Sequence, residues 1–224
     1  MDFALASQQV QAAAGDSSHL GDNDFLVAGA VTGTTGEFGA LLFRHAFAVI
    51  EADLTGSGEM AGKSIASVML FNTDAASVAS NGALTDMANM TGGFSFDLTA
   101  PTGNNTATYT YPSVQLNLCG LTFTEPPVLG TSPVKAYFTV NPADYSRGSG
   151  RVYIVVSTTD GYTATYSRPG LVIGSGQMKV ITQDVAAGTA RQPVIDLTAD
   201  GKTANCYIAT LSSQAYSFDA TVAG

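Results

Sequence analysis

Two histidines, two cysteines and a few closely spaced carboxylates are the residues of this chain that could carry chemistry. His19 lies in a loop rich in Ser, Gly and Asp, and His45 lies inside the apolar run LLFRHAFAVI; neither has a second ligand at metal-binding spacing. A lone His in an apolar strand is expected to be a packed residue bonded to nearby backbone rather than a catalytic base. The sequence accordingly places His45 in the interior or at the edge of a sheet, on the side shared by Phe43, Phe47 and Val49. Cys119, in NLCGL, reads as a small packed hydrophobe, and Cys206 is too distant in sequence to suggest a disulfide framework. No G-x-S-x-G elbow is present, and the glycine stretches TGTTG and IGSGQ lack the Lys-Ser/Thr of a phosphate loop, so they read as turns.

The carboxylates repay the same test. Glu51 and Asp53 share one strand face by period two and could form a glycosidase pair, which needs two carboxyl groups about 5 to 9.5 Å apart across a cleft. An ordinary strand edge gives the same spacing. Asp22, Asn23 and Asp24 form an oxygen-rich cluster, but calcium takes six or more oxygens and no EF-hand spacing follows. Tyr109, Tyr111, Tyr153, Tyr162 and Tyr166 could line a sugar-binding face, although cross-strand Tyr pairing looks identical and no Trp is present. On this reading no catalytic, cofactor-binding or metal-binding residue is assigned and no cofactor is expected.

The elements that must position these residues are strands. Of 224 residues 45% are hydrophobic, enough for a packed core, while only 12% are charged. A net charge of −9 with no Lys/Arg cluster repels a phosphate backbone, which argues against nucleic-acid binding. No apolar run approaches the roughly 20 residues of a membrane-spanning helix, and Met1 to Gly15 lacks the basic start and apolar centre of a signal peptide. Short runs of β-branched and aromatic residues, bounded by Gly, Asn, Asp and Pro, predict strands at 25–31, 40–54, 64–71, 93–98, 106–118, 133–140, 151–158, 161–167, 176–183, 203–209 and 215–222. Helix is conceivable only at 3–14 and 74–90. Asp160-Gly161 between RVYIVVST and YTATYSR predicts a two-residue hairpin turn.

The expected fold is all-β, an antiparallel β-sandwich followed by a terminal hairpin of an incomplete second module. Residues 1–21 are expected to be irregular or poorly ordered, 22–185 to form the sandwich, 186–195 (containing Pro193) to be a linker, and 196–224 to form the hairpin.

DFLVAGAV, LLFRHAFAVIEADL and SIASVMLFN together resemble the middle of fimbrillin-like surface proteins, of the major and minor fimbrium type, from Gram-negative gut and oral anaerobes. The later DLTADGKTANCYIA resembles a segment that opens a new β-module in such proteins, and the likeness extends over residues 22 to 222. The resemblance implies a transthyretin-like or Ig-like Greek-key sandwich. It also implies export as a lipoprotein to the outer membrane or a fimbrium, and adhesion or pilus assembly by strand donation. The lipid-carrying cysteine near the start and most of the family's N-terminal domain have no counterpart here, so a fragment or a short member is expected.

Two functions follow as expectations. The first is a non-enzymatic cell-surface adhesion or fimbrial-assembly protein whose partners are other fimbrial or surface subunits and host or bacterial surface ligands. Its assembly edge is expected in the terminal hairpin at Cys206, Ile208, Tyr216 and Phe218. The alternative is a carbohydrate-binding β-sandwich module or glycoside hydrolase accessory domain, which requires the carboxylates and tyrosines to converge in one concave site.

Overall fold

Alternation of apolar and polar residues settles most of the backbone into strands. The computed structural model describes residues 2–28, 43–74, 89–95, 115–116, 118–186, 190–191, 195–197, 203–209 and 215–221, with side-chain surroundings for 4–28, 43–73, 89–93 and 118–186. Most of the expected strand at 106–118, nearly all of the helix-compatible stretch at 74–90, and Tyr109 and Tyr111 lie outside the described residues.

The first nine strands are β1 (Asp2–Leu5), β2 (Gln8–Gln11), β3 (Leu26–Ala28), β4 (Phe43–His45), β5 (Ala48–Gly56), β6 (Ile65–Asp74), β7 (Thr91–Ser95), β8 (Gln115–Leu116) and β9 (Leu118–Phe123). The next six are β10 (Val134–Val140), β11 (Ala143–Asp144), β12 (Gly150–Thr158), β13 (Thr163–Pro169), β14 (Val172–Ile173) and β15 (Met178–Val185). The last four are β16 (Ala190–Arg191), β17 (Ile195–Leu197), β18 (Thr203–Ala209) and β19 (Ala215–Thr221). Helical content among the described residues is three 3-10 turns at Ser18–Asn23, Gly58–Met60 and Arg147–Ser149.

A six-stranded sheet has the order β16-β13-β12-β6-β9-β2, and a three-stranded sheet has the order β10-β5-β15. Their apolar faces meet in one cluster: Ile50, Leu54 and Phe138 from the smaller sheet join Leu70, Leu121 and Ile154 from the larger, each without solvent exposure. Deleting any of these side chains removes contact area on both layers, which is why the core holds the sheets together. The pairing is not purely antiparallel as expected. β15 runs parallel to β5 and β2 runs parallel to β9, each recruiting a strand remote in sequence to a sheet edge.

Residues 1–21, expected to be irregular, instead supply β1, β2 and the turn at Ser18–Asn23. The apolar 40–54 run is two strands, because the chain bends at Ala46-Phe47 between β4 and β5. The 186–195 segment, expected to be a linker, contains β16, which pairs with β13 through Thr163↔Arg191 and Ala164↔Ala190. The β12–β13 hairpin differs in its turn. The Gly161 N–H donates to the Thr158 carbonyl at 3.1 Å and the Thr158 N–H to the Tyr162 carbonyl at 2.9 Å, while Gly161 alone within the loop has positive φ, at 91°. That is a three-residue loop closed by a left-handed glycine, in place of a two-residue turn with both central residues at positive φ.

Candidate functional site

The two histidines exchange the roles expected of them. His45 is exposed, with Nδ1 2.6 Å from Asp24 Oδ1, because the bend after β4 turns it away from the core. His19 is the buried one: its Nε2 lies 3.0 Å from the Tyr137 carbonyl, so Nε2 carries the proton and donates. Cys119 is fully buried on β9, and desolvation pushes its thiol up to about 12, which removes nucleophilic character at neutral pH. Iodoacetamide at pH 8 should therefore leave the Cys119 peptide unmodified in the native protein and label it in denaturant, as read by peptide mass spectrometry; native labelling would show that β9 opens.

Glu51 and Asp53 do sit on one face of β5, but a single lysine occupies both. Lys135 on β10 donates to Glu51 and lies 3.5 Å from Asp53 Oδ1, an ion-pair contact. The Glu51 hydrogen bond, with the nearby Asp53 charge adding to it, raises the Lys135 ammonium above its ordinary value. The tyrosines lie elsewhere. Tyr153 stacks on Phe71 across β12 and β6 with centroids 4.6 Å apart, Tyr162 lies beneath the Lys63 ammonium, and the Tyr166 hydroxyl accepts from the Ala186 N–H at 2.7 Å. Each described ring is committed to an internal contact on the six-stranded sheet, while Glu51 and Asp53 belong to the three-stranded one. Among the described residues no three His, Cys, Asp or Glu side chains gather closely enough to hold a metal ion, and Asp24 of the Asp22–Asp24 cluster faces His45.

The sheet edges are chemically more distinctive. The outer edge of β10 is closed by side chains. Gln9 presents its amide to Thr139 as another strand would: Oε1 accepts from the Thr139 N–H at 3.0 Å and Nε2 donates to the Thr139 carbonyl at 2.8 Å. Gln11 repeats the contact one row on, accepting from the Tyr137 N–H at 2.9 Å and donating to the Lys135 carbonyl at 2.8 Å. The Gly15 N–H and His19 complete the seal.

The opposite edge, β15, is left half open. Val49 N–H donates to Gln177 and Ser57 N–H donates to Val185, so odd-numbered residues of β15 face β5 and the even-numbered backbone groups face outward. Arg168 from β13 covers the Thr182 carbonyl, and the Gln183 amide covers that of Asp184. Met178 and Val180 have no pairing strand on that side among the described residues, and their side chains are 56% and 55% exposed. A row of unpaired amides flanked by exposed apolar side chains is a template for another strand.

Beside the start of β15 lies a cavity of about 230 Å³. Its floor is one row across the small sheet, Thr139, Val49 and Met178, which the strand registers place side by side. Leu20, Phe47 and the Asp24–His45 pair wall it in.

The terminal hairpin is present, with Cys206 opposite Phe218 and Ile208 opposite Tyr216. It carries a third strand, since β17 pairs with β18 through Ile195↔Cys206. Cys206 therefore stands on a middle strand paired on both sides, and the outer strands of this sheet are β17 and β19. The side chains of the four residues lie outside those described.

No protein-family model and no curated protein matches the chain. Solved structures similar to it include a candidate cell adhesion protein from Bacteroides ovatus, at 16% identity and a TM-score of 0.42 over 67% of this chain and 44% of that one. Another candidate cell adhesion protein, from Bacteroides uniformis, is 13% identical with a TM-score of 0.42 over 80% of this chain and 62% of that one. The chain thus covers less than two thirds of the length of either.

Proposed function

We propose that this chain is a non-enzymatic adhesion or fimbrial-assembly component of a bacterial cell surface, acting by pairing a strand with a partner subunit. The supporting observation is the N-terminal half of β15, where Met178 and Val180 offer exposed apolar side chains and outward backbone groups that no strand among the described residues pairs. Its contrast with β10 matters, because Gln9, Gln11, His19 and Gly15 cover that edge from Lys135 to Thr139, while on β15 the outward carbonyls are covered only at Thr182 and Asp184. In this reading the two sheets form a transthyretin-like sandwich, the parent protein is exported and lipid-anchored at the outer membrane, and residues 195–221 begin a further module. An incoming strand would gain main-chain hydrogen bonds at 178 and 180 and pack its alternate side chains beside theirs.

Val180→Pro tests the mechanism, since it removes an outward N–H without disturbing a bond to β5 and proline is tolerated at such edge positions. The variant should keep the melting temperature of the parent and lose assembly into higher oligomers by sedimentation velocity. Undiminished assembly would move the edge elsewhere, with β19 the next strand to block. Protease shaving of intact cells checks the setting, and a chain protected on intact cells and cleaved only after lysis would refute surface display.

A further inference from the structure

We infer that the Ser18–Asn23 turn is a clasp on the outer edge of β10 that acid releases, with His19 as the residue that takes up the proton. His19 is 8% exposed and ties the turn to the sheet, its Nε2 donating to the Tyr137 carbonyl at 3.0 Å. The other ring nitrogen, Nδ1, is closed to solvent and has no hydrogen-bond partner. A neutral ring protonated on Nε2 fits this arrangement with one lone pair unused. An imidazolium carries a second N–H at Nδ1, and a buried donor without an acceptor is costly, more so on a charged group. The charged ring must swing out to water and take the turn with it.

The charged groups around the ring do not supply the missing acceptor. On its own segment, Asp16 is near enough for its charge to reach the imidazole, but its carboxylate is held by the Ser18 N–H at 2.8 Å and by the Ser18 hydroxyl. Asp22 is exposed, and Asp24 is turned to His45. On β10, Lys135 is engaged with Glu51 and Asp53 of β5, and β2 brings only Gln8, Gln9, Val10 and Gln11. The release is local, because the segment stays tethered on both sides: the Gly15 N–H bonds the Lys135 carbonyl, and Asp24 pairs with His45. The two histidines therefore respond in opposite senses, since a charged His45 gains an ion pair with Asp24 and a charged His19 loses its place. Lifting bares the Tyr137 carbonyl and withdraws Leu20 from the wall of the cavity beside β15. The clasp is fully closed where imidazole is neutral and opens as pH falls through the range in which imidazole charges.

The test is amide hydrogen exchange of the full chain by NMR between about pH 8 and 5, where imidazole is the side chain that ordinarily changes charge. The Leu20 N–H, bonded to the Ser17 carbonyl at 3.1 Å in the closed turn, is the reporter. Its protection factor should fall about tenfold for each pH unit below the transition, because opening takes up one proton, while amides of β6 and β12 keep theirs. In His19→Gln the side-chain amide can still donate to Tyr137 and cannot be charged, so Leu20 protection should no longer depend on pH. His45→Gln should keep the parental profile. Should His19→Gln leave Leu20 unprotected at every pH, the parent decides: the His19 ring signals must titrate with the midpoint at which Leu20 protection is lost. Leu20 protection that is flat across this range in the parent, a pH dependence that survives His19→Gln, or a ring titration at a different midpoint would overturn the proposal.

Discussion

Replacing Gln9 with leucine should destabilise the fold by about 2–5 kcal/mol, more than the same change at Gln11. Leucine fills similar space but strands the buried Thr139 N–H and leaves its carbonyl only the weak Cys119 thiol donor at 3.7 Å, and an orphaned buried group costs about 1–3 kcal/mol. At Gln11 the loss is smaller, because the Lys135 carbonyl keeps the Gly15 N–H at 3.0 Å and only the Tyr137 N–H is abandoned outright. Urea unfolding of the two single variants measures the difference. Equal effects, or none, would mean that water replaces the glutamine amides and that the β10 edge is not sealed by them.

The same residues show why the N-terminal segment was hard to read from sequence. In β2 the polar residues Gln9 and Gln11 point inward while Val10 is 57% exposed, so hydropathy alternation reports the inverse of the true facing. A side chain that imitates a strand leaves no hydropathic signature, because its value lies in an amide pair matched to a backbone pair remote in the chain. Where burial alone decides facing, the sequence is legible. In β10, Ala136, Phe138 and Val140 are fully buried, as the alternation in AYFTV requires. Cys119 is a packed thiol as NLCGL suggests.

His45 misleads for the opposite reason. Its apolar neighbours imply a continuous strand, but the Ala46-Phe47 bend lets Phe47 turn inward, edge-on to Phe25 at 5.7 Å, while His45 turns out to Asp24. Nothing local in LLFRHAFAVI marks that bend. The cavity floor is invisible in sequence too, since Val49, Thr139 and Met178 become neighbours only through two strand registers.

Gly170→Ala should cost about 3 kcal/mol or more, at the severe end for a single added methyl. A Cβ there would lie 2.0 Å from the Tyr145 carbonyl oxygen and 2.5 Å from its carbon, and backbone cannot rotate aside as a side chain can. The surroundings are pinned as well: Tyr145 is fully buried, its N–H donates to Leu171 at 2.9 Å, and its carbonyl accepts from the Asn72 amide at 2.9 Å. Gly21→Ala is the matched control, because nothing lies within 4 Å of its Cβ, and it should stay within about 0.5 kcal/mol of the parent. Chemical denaturation of both variants decides the matter. A Gly170→Ala protein of parental stability would show that the Tyr145 turn can move away from β13.

The parallel β5–β15 pair also dictates an order of events during synthesis. Thr55 and Asp184, hydrogen-bonded across it, are 129 residues apart, and Gln9 meets Thr139 over 130. Contacts of such range are slow to form, since a long loop must close before any of them rewards it. β5 therefore leaves the ribosome as the eventual centre of a sheet whose two flanking strands do not yet exist. Until residue 185 has followed, the nascent polypeptide cannot complete its smaller layer, and the apolar face of β5 waits uncovered for that interval.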